Sequence, residues 1–266
     1  MRIVTWNINS VRLRMPLLLR LIEQEQPDVI CLQETKCVDA DFPFAPLVAQ
    51  GYVHNHVHGM KSYNGVAILS RLPLEGRDVQ HWCDKRDCRH ALGVLPGGVE
   101  VHCLYIPAGG DIPDPEQNDK FAHKLRFLDD MTAWWAERRD PSRPMVLVGD
   151  LNIAPLEQDV WNHKALLDVV SHTPVEVEKL GAMQRSLGWV DAMRRYVPET
   201  EKLYTWWSYR AKDWAAADRG RRLDHIWVTP SLAGSLKGIK VLREARGWEP
   251  KPSDHVPVLV DLDLQP

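Results

Sequence analysis

The stretch PMVLVGDLNIAP, Pro144 to Pro155, ends a short apolar run in two side chains able to do chemistry, Asp150 and Asn152. A carboxylate and an amide two positions apart leave an extended backbone on the same side, and a strand end at the mouth of a sheet holds them rigidly. Taken alone, the pair reads as turn formers bonding their own backbone. The pattern recurs, however. Strand-like runs also end in or carry a polar group at Asn7 (RIVTWNIN), Glu34 (DVICLQE), Asp224 (RRLDHIWV) and Asp254-His255 (SDHVPVLV). Carboxylates, amides and one histidine can together hold a hard cation, activate a water and donate to an anion, the parts of a hydrolytic site. Glu34 and Asp254 are hard oxygen ligands, few in number, as suits Mg²⁺, and Asn7 can add a neutral oxygen.

These residues need a layered scaffold. Met145 to Val148 is too short and too β-branched for a helix, and its lack of alternation predicts a strand buried on both faces. Arg2 to Ile8 and Asp28 to Gln33 read as strands, separated by a helix whose apolar face is Leu13, Leu17, Leu21 and Ile22 and which Pro27 closes. Further strands are expected at Tyr52–His58, Gly65–Ser70, Ala91–Leu95 and Val99–Tyr105, the last two joined by the turn signal Pro96-Gly97-Gly98. Phe121, Leu125, Leu128, Thr132 and Trp135 give a helix from about Asn118 to Arg138, leading into the central strand. Later strands are expected near 203–206, 223–228, 239–242 and 256–262. Hairpins mixed with helical crossovers predict mixed sheets covered by helices. The strand-then-polar pattern falls in both halves of the chain, which points to a duplicated architecture with its site between the halves.

Composition narrows the classes. At 266 residues and 44% hydrophobic, the chain can bury a large core, and residues 1–266 are read as one domain. A net charge of -3 excludes attachment to nucleic acid by a global positive field and leaves room only for a local basic groove. The five cysteines form no CxxC pair and no even framework, as in a reducing compartment. No apolar stretch approaches the roughly 18 residues of a membrane span. A soluble, cytoplasmic, unprocessed monomer is expected. His54, His56 and His58 share one strand face, which reads as a solvated face in preference to a metal site. Trp206 and Trp207 point to opposite sides of their backbone, so one of them is hard to bury. With Arg210 following, that tryptophan is either core or a stacking surface for a base or sugar.

Nine blocks in order carry a resemblance: WNIN (Trp6–Asn9), LQETK (Leu32–Lys36), GVAILS (Gly65–Ser70), YIP (Tyr105–Pro107), GDLNIAP (Gly149–Pro155), GWVDAMR (Gly188–Arg194), TWWSYR (Thr205–Arg210), RRLDHIWV (Arg221–Val228) and KPSDHVPV (Lys251–Val258). Together they resemble the exonuclease III family of DNA-repair nucleases and apurinic/apyrimidinic endonucleases, within the endonuclease/exonuclease/phosphatase superfamily. The resemblance implies a four-layer α/β sandwich of two mixed β-sheets flanked by helices, Mg²⁺ as cofactor with Mn²⁺ as substitute, and duplex DNA with an abasic site, nick or 3′ end as partner. It implies that Asp150, beside Asn152, orients and deprotonates water, that His255 faces the phosphate with Asp224 holding its ring, and that Tyr105 donates to a phosphate oxygen. Asn7, Glu34 and Asp254 become metal ligands, with a second site at Asp150, Asn152 and His255, and Trp206 and Arg210 become DNA contacts. The superfamily also contains phosphatases of inositol phosphates and sphingolipids. A non-catalytic nucleic-acid binder on the same fold would be expected to have lost some of these acids.

One departure stands out. After Tyr-x-Pro the family commonly carries an amide that grips the substrate phosphate, and here Ala108 takes that place. The loop from Ala108 to Asp119 is rich in Gly, Pro and acid, which suits exposure and clamps a duplex poorly. Lys120, Lys124 or Arg210 could restore the grip. The expected balance tilts toward 3′-end processing relative to abasic-site incision.

Overall fold

The computed structural model describes residues 1–77 and 79–264. Strands β1 (Arg2–Asn7), β2 (Val29–Gln33), β3 (His54–His58) and β4 (Val66–Ser70) come first, with helix α1 (Val11–Glu25) crossing between β1 and β2 and the short α2 (Phe44–Val48) following β2. The chain then enters another sheet through β5 (Glu75–Arg77), β6 (His90–Leu95), β7 (Val99–Tyr105), the long helix α3 (Asp119–Arg138) and β8 (Met145–Asp150). Helices α4 (His163–Leu166) and α5 (Pro174–Ser186), strand β9 (Val190–Asp191) and helix α6 (Ala192–Tyr196) follow. A two-stranded ribbon of β10 (Trp206–Trp207) and β11 (Gly220–Arg221) encloses α7 (Trp214–Ala217). β12 (Asp224–Val228) completes the second sheet, and β13 (Leu236–Val241) and β14 (Val258–Leu262) return to the first.

The two six-stranded sheets have the orders β13-β14-β1-β2-β4-β3 and β5-β6-β7-β8-β12-β9. In the first, β1 and β2 are parallel, flanked by antiparallel β14 and β4. In the second, β8 and β7 are parallel, flanked by antiparallel β12 and β6. The halves thus repeat one arrangement, as the recurring strand-then-polar pattern predicts. Fully buried strands such as β2, β4, β8 and β12 follow from this layering. Ile3, Cys31 and Ile68 meet Val101, Cys103, Val146 and Val148 between the sheets. The outer face of the first sheet packs Trp6, Ile30 and Leu32 against Leu17, Leu18, Leu21 and Ile22 of α1. The outer face of the second packs Leu104, Leu147 and Trp227 against Phe127, Leu128, Met131 and Trp135 of α3 and Leu180 and Met183 of α5. Helix, sheet, sheet, helix is the expected four-layer sandwich.

Local chemistry explains the element ends. Asn118 caps α3 by accepting from Lys120 N, and Thr173 and Glu176 form a capping box on α5, with Pro174 in its first turn. Helix α5 lies outside the sequence expectation. The expected strand at 203–206 shrinks to Trp206–Trp207, and the strand expected at 239–242 starts at Leu236. The buried stripe of α3 is Phe121, Lys124, Phe127, Leu128, Met131 and Trp135, so the core takes Lys124 where the expected stripe has Leu125. His54, His56 and His58 are half-buried, not a solvated face: edge strand β3 turns them toward the second sheet, where His58 Nδ1 lies 3.1 Å from the His90 carbonyl. All five cysteines are free and buried. Among the described residues, no helix is long and apolar enough to cross a membrane.

Candidate active site

The polar residues gather where the paired parallel strands of both sheets end. Asn7 closes β1 and Glu34 follows β2; Tyr105 closes β7, Asp150 closes β8 and Asp224 opens β12. Because β12 runs antiparallel to β8, its first residue stands opposite the last of β8, so Asp224 pairs with Asp150. The parallel register of β7 sets Tyr105 beside Asp150 on the other flank. Asp254 and His255 precede β14, and His255 bridges to Trp206 of β10.

One hydrogen-bond network joins most of these groups. The Tyr105 hydroxyl donates to Glu34 Oε1 at 2.9 Å. Asn7 Nδ2 donates to Glu34 Oε1 and to Asp150 Oδ2, each at 2.9 Å. Asn152 donates its backbone N–H to Asp150 Oδ1 at 2.9 Å and its Nδ2 to Asp150 Oδ2 at 3.2 Å and to the Ile106 carbonyl at 2.9 Å. His255 Nδ1 lies 2.8 Å from Asp224 Oδ2, and its Nε2 lies 3.6 Å from Asp150 Oδ2. Asp254 stands one step away, its Oδ1 accepting from Asn9 Nδ2 at 3.1 Å and its Oδ2 from Trp206 Nε1 at 3.0 Å. Lys36 closes the circuit, its Nζ 2.7 Å from Glu34 Oε2 and 2.7 Å from Asn9 Oδ1.

The extended geometry that would align Asp150 and Asn152 ends at Asp150. Asn152 has φ 54°, in the left-handed region, and a turn brings the two side chains together instead. The turn-forming reading of this pair holds, and the residue that bends the chain is the one whose N–H and amide fix the carboxylate.

Burial and charge set the protonation states. Burial, reinforced by Asp224 and Glu34 against the opposing pull of His255, pushes Asp150 up to about 7. Burial alone would strip His255 of its proton, but Asp224 and Asp150 outweigh it and hold the ring charged to about 10. Glu34 and Asp254 resist the upward push of burial and titrate below the usual carboxylate range, Glu34 through Lys36 and Asn7, Asp254 through His255, Asn9 and the Trp206 indole. Burial drives the Tyr105 hydroxyl well above its ordinary value, so it remains a donor.

A divalent cation fits this donor set. Among the described residues, Glu34 is bridged by the Lys36 ammonium, Asp150 and Asp224 share the His255 imidazolium, Asp254 has no salt bridge, and the buried Asp224 Oδ1 has no hydrogen-bond partner. Lys36 resting on Glu34 marks a place where cationic charge is already accommodated. Asp150, Asp224 and His255 bring ligand atoms within 4.8 Å of one another. Asn152 of the expected second site stands beside this group, its Nδ2 donating to Asp150 Oδ2 at 3.2 Å. Asn7 likewise presents its NH₂ to the carboxylates, while its oxygen accepts from Asn9 N at 3.2 Å.

Beside Asp254 opens a cleft of about 550 Å³ whose walls include Trp161, Trp206, Trp214, Arg210, Arg219 and Arg221. Trp207 is buried and Trp206 half-buried, as two adjacent tryptophans of opposite orientation require. Lys124 is buried beneath the site, paired with Glu176, and so cannot reach a duplex. A charged residue on the apolar face of α3 was the signal for Lys124, and the capping box Thr173-Pro174-Val175-Glu176 was the signal for Glu176.

Residues 4–255 match the family described as Endonuclease/Exonuclease/phosphatase. An exodeoxyribonuclease III of Haemophilus influenzae is 31% identical over 272 residues, covering 97% of this chain and 98% of that protein. An AP endonuclease from Archaeoglobus fulgidus superposes with TM-score 0.90 at 31% identity, over 99% of this chain and 100% of that one. NExo from Neisseria, solved as a 3′ phosphatase bound to a product DNA hairpin, gives TM-score 0.88 at 32% identity over 99% and 100% of the two chains. Motifs, sheet topology and the joined strand ends agree with these likenesses: the chain belongs to the Endonuclease/Exonuclease/phosphatase family, in its exodeoxyribonuclease III branch.

Proposed function

We propose that this chain is a metal-dependent DNA-repair phosphodiesterase that hydrolyses duplex DNA at 3′ ends, at nicks and 5′ of abasic sites. The carrying observation is the network Tyr105–Glu34–Asn7–Asp150–His255–Asp224, drawn from both sheets to one point beside an aromatic and basic cleft. Relatives named as exodeoxyribonuclease III, AP endonuclease and a 3′ phosphatase with product DNA support the substrate class.

Glu34 and Asp254, with Asn7 beside them, would hold the metal. When bound, Mg²⁺, or Mn²⁺ in its place, supplies positive charge on the phosphate and an acidified water. Asp150 accepts the proton of the attacking water, oriented by the two Asn152 donors. His255, kept cationic by Asp224, presents Nε2–H to the phosphate as negative charge develops. Tyr105 supplies a neutral hydroxyl donor to a phosphate oxygen. Trp206 and Arg210 receive the nucleotide next to the cleaved bond by stacking and by charge.

The test is turnover of matched duplexes carrying a 3′ end at a nick, a 3′ phosphate or an internal abasic site, with an inositol phosphate as comparison. Turnover of DNA should vanish in EDTA and return with Mg²⁺ or Mn²⁺. Full activity in EDTA, or hydrolysis of the inositol phosphate alone, would overturn the assignment.

A further inference from the structure

Three consecutive carbonyls after Asp150 are each met by a buried basic side chain from a different element. Lys124 Nζ of α3 donates to Asn152 O at 2.8 Å, His225 Nε2 of β12 lies 2.8 Å from Ile153 O, and His172 Nδ1 lies 2.6 Å from Ala154 O. Burial keeps both imidazoles neutral near pH 7, lowering His225 to about 4 and His172 below its ordinary value. Burial lowers Lys124 as well, but Glu176 pulls against it. Lys124 is the one of the three bonded directly to a carboxylate, Glu176.

Its surroundings are built for it. The Nζ donates to Asn152 O, to Ala108 O at 3.3 Å and to Glu176 Oε1 at 2.5 Å, which uses all three ammonium hydrogens. Both side chains of the pair are fully buried. Glu176 accepts in turn from Ser171 N, Thr173 N and Thr173 Oγ1. Gly109 lies so close to the lysine stem that a Cβ there would stand 2.9 Å from Lys124 Cδ. One ammonium thus joins the turn at Asn152, the loop at Ala108 and the segment ahead of α5. Val170 in that segment and Gly110 in that loop line the cleft beside the reacting centre.

A buried ion pair that only stapled α3 to α5 would offer little over uncharged side chains, because desolvation offsets its attraction. An ammonium bonded to two main-chain carbonyls does something an apolar pair cannot. It orients the peptide that follows Asn152, whose left-handed φ aims both its backbone N–H and its Nδ2 at Asp150. We propose that Lys124, with Glu176 as counter-ion, is a positioning residue for hydrolysis, fixing Asn152 and through it Asp150 while tying that turn to the loop at Ala108.

This inference rests on the phosphodiesterase reading, and the two fail differently. A wild-type chain without turnover defeats that reading, whereas a variant matching an active wild type defeats only the role of Lys124. The first variant is Lys124→Met with Glu176→Gln, which removes both charges yet leaves an acceptor for Ser171 and Thr173. Folded, with a Tm near wild type, it should lose at least about 30-fold in kcat with KM within about threefold, the split expected when only orientation is lost. A folded double variant with wild-type kcat overturns the proposal. Should that variant not fold, Lys124→Arg decides. It keeps the ion pair but lengthens the side chain against Gly109, so kcat should drop by at least about tenfold. A folded Lys124→Arg with full kcat overturns the proposal equally.

Discussion

Asp224 gives His255 a fixed negative partner at 2.8 Å, and much of the chemistry at the residue scale follows from that contact. Asp150→Asn and His255→Ala should each lower kcat by at least about 100-fold, the scale for losing a general base or a charge stabiliser, with the Kd for DNA little changed. In the proposed mechanism Asp224 acts through His255, so Asp224→Asn combined with His255→Ala should cost little more than His255→Ala alone. Simple multiplication of the two losses would refute the pairing. The same contact fixes a pH profile. Asp150, the proposed base, must be deprotonated, and burial pushes it up to about 7, so kcat/KM should rise with pH through that value. His255, the proposed phosphate donor, must be protonated; burial opposes this, but Asp224 and Asp150 hold it up to about 10, so kcat/KM should fall through that value. Asp224→Asn removes the largest influence raising His255, and the alkaline limb should then move to lower pH. A limb that stays in place would mean that Asp224 does not set the charge of the ring.

At the scale of elements, the site depends on how closely β7 and β8 approach. Gly149 faces Leu104 across the parallel ladder with φ +147°, and a Cβ there would lie 1.9 Å from the Leu104 carbonyl oxygen. Both partners are rigid main chain, so Gly149→Ala should destabilise the fold by at least about 3 kcal/mol, which a thermal melt would read as a large drop in Tm. A wild-type Tm would mean that the ladder relaxes more easily than its geometry implies. The strands around this glycine were legible in the sequence, because a buried strand announces itself by an unbroken apolar run, whereas the close approach of β7 that requires the glycine was not. The residues at strand ends were legible as a recurring type, and family motifs assigned their roles. The turn at Asn152 was not, since a two-residue spacing reads as extended until the left-handed φ is known. Nor was the rotation of the α3 stripe: Leu125 and Lys124 are neighbours, and lysine is so rarely buried that apolar spacing favours the leucine. Only Glu176, 52 positions along the chain, makes Lys124 the buried one. Helix α5, which carries that partner, begins with a capping box that a reading based on apolar runs passes over.

Across the whole molecule, charge sets how much DNA the site can hold. Incision at an internal abasic site needs a grip on duplex flanking both sides of the lesion, and a protein with fewer partners for the phosphates binds more weakly and with less sensitivity to salt. Removing a nucleotide or a blocking group at a 3′ end needs a shorter grip. Arg210, Arg219 and Arg221 line the cleft itself, beside Trp206, at the place proposed for the reacting nucleotide. Other features weaken the grip. Ala108 has no amide to offer, Asp111 stands in the cleft wall beside Gly110, Lys124 is consumed by Glu176, and the chain carries net charge -3. Wild type should therefore show a higher kcat/KM on a duplex with a 3′ end at a nick than on a matched duplex with an internal abasic site. Ala108→Asn restores a phosphate donor at the loop and should shift that ratio toward the abasic substrate, with a steeper salt dependence of binding. The shift should appear mainly in KM, because Ala108 lies outside the network proposed to activate water. A wild type that already prefers the abasic duplex, or a ratio unmoved by Ala108→Asn, would mean that the grip on flanking DNA comes from another surface of the molecule.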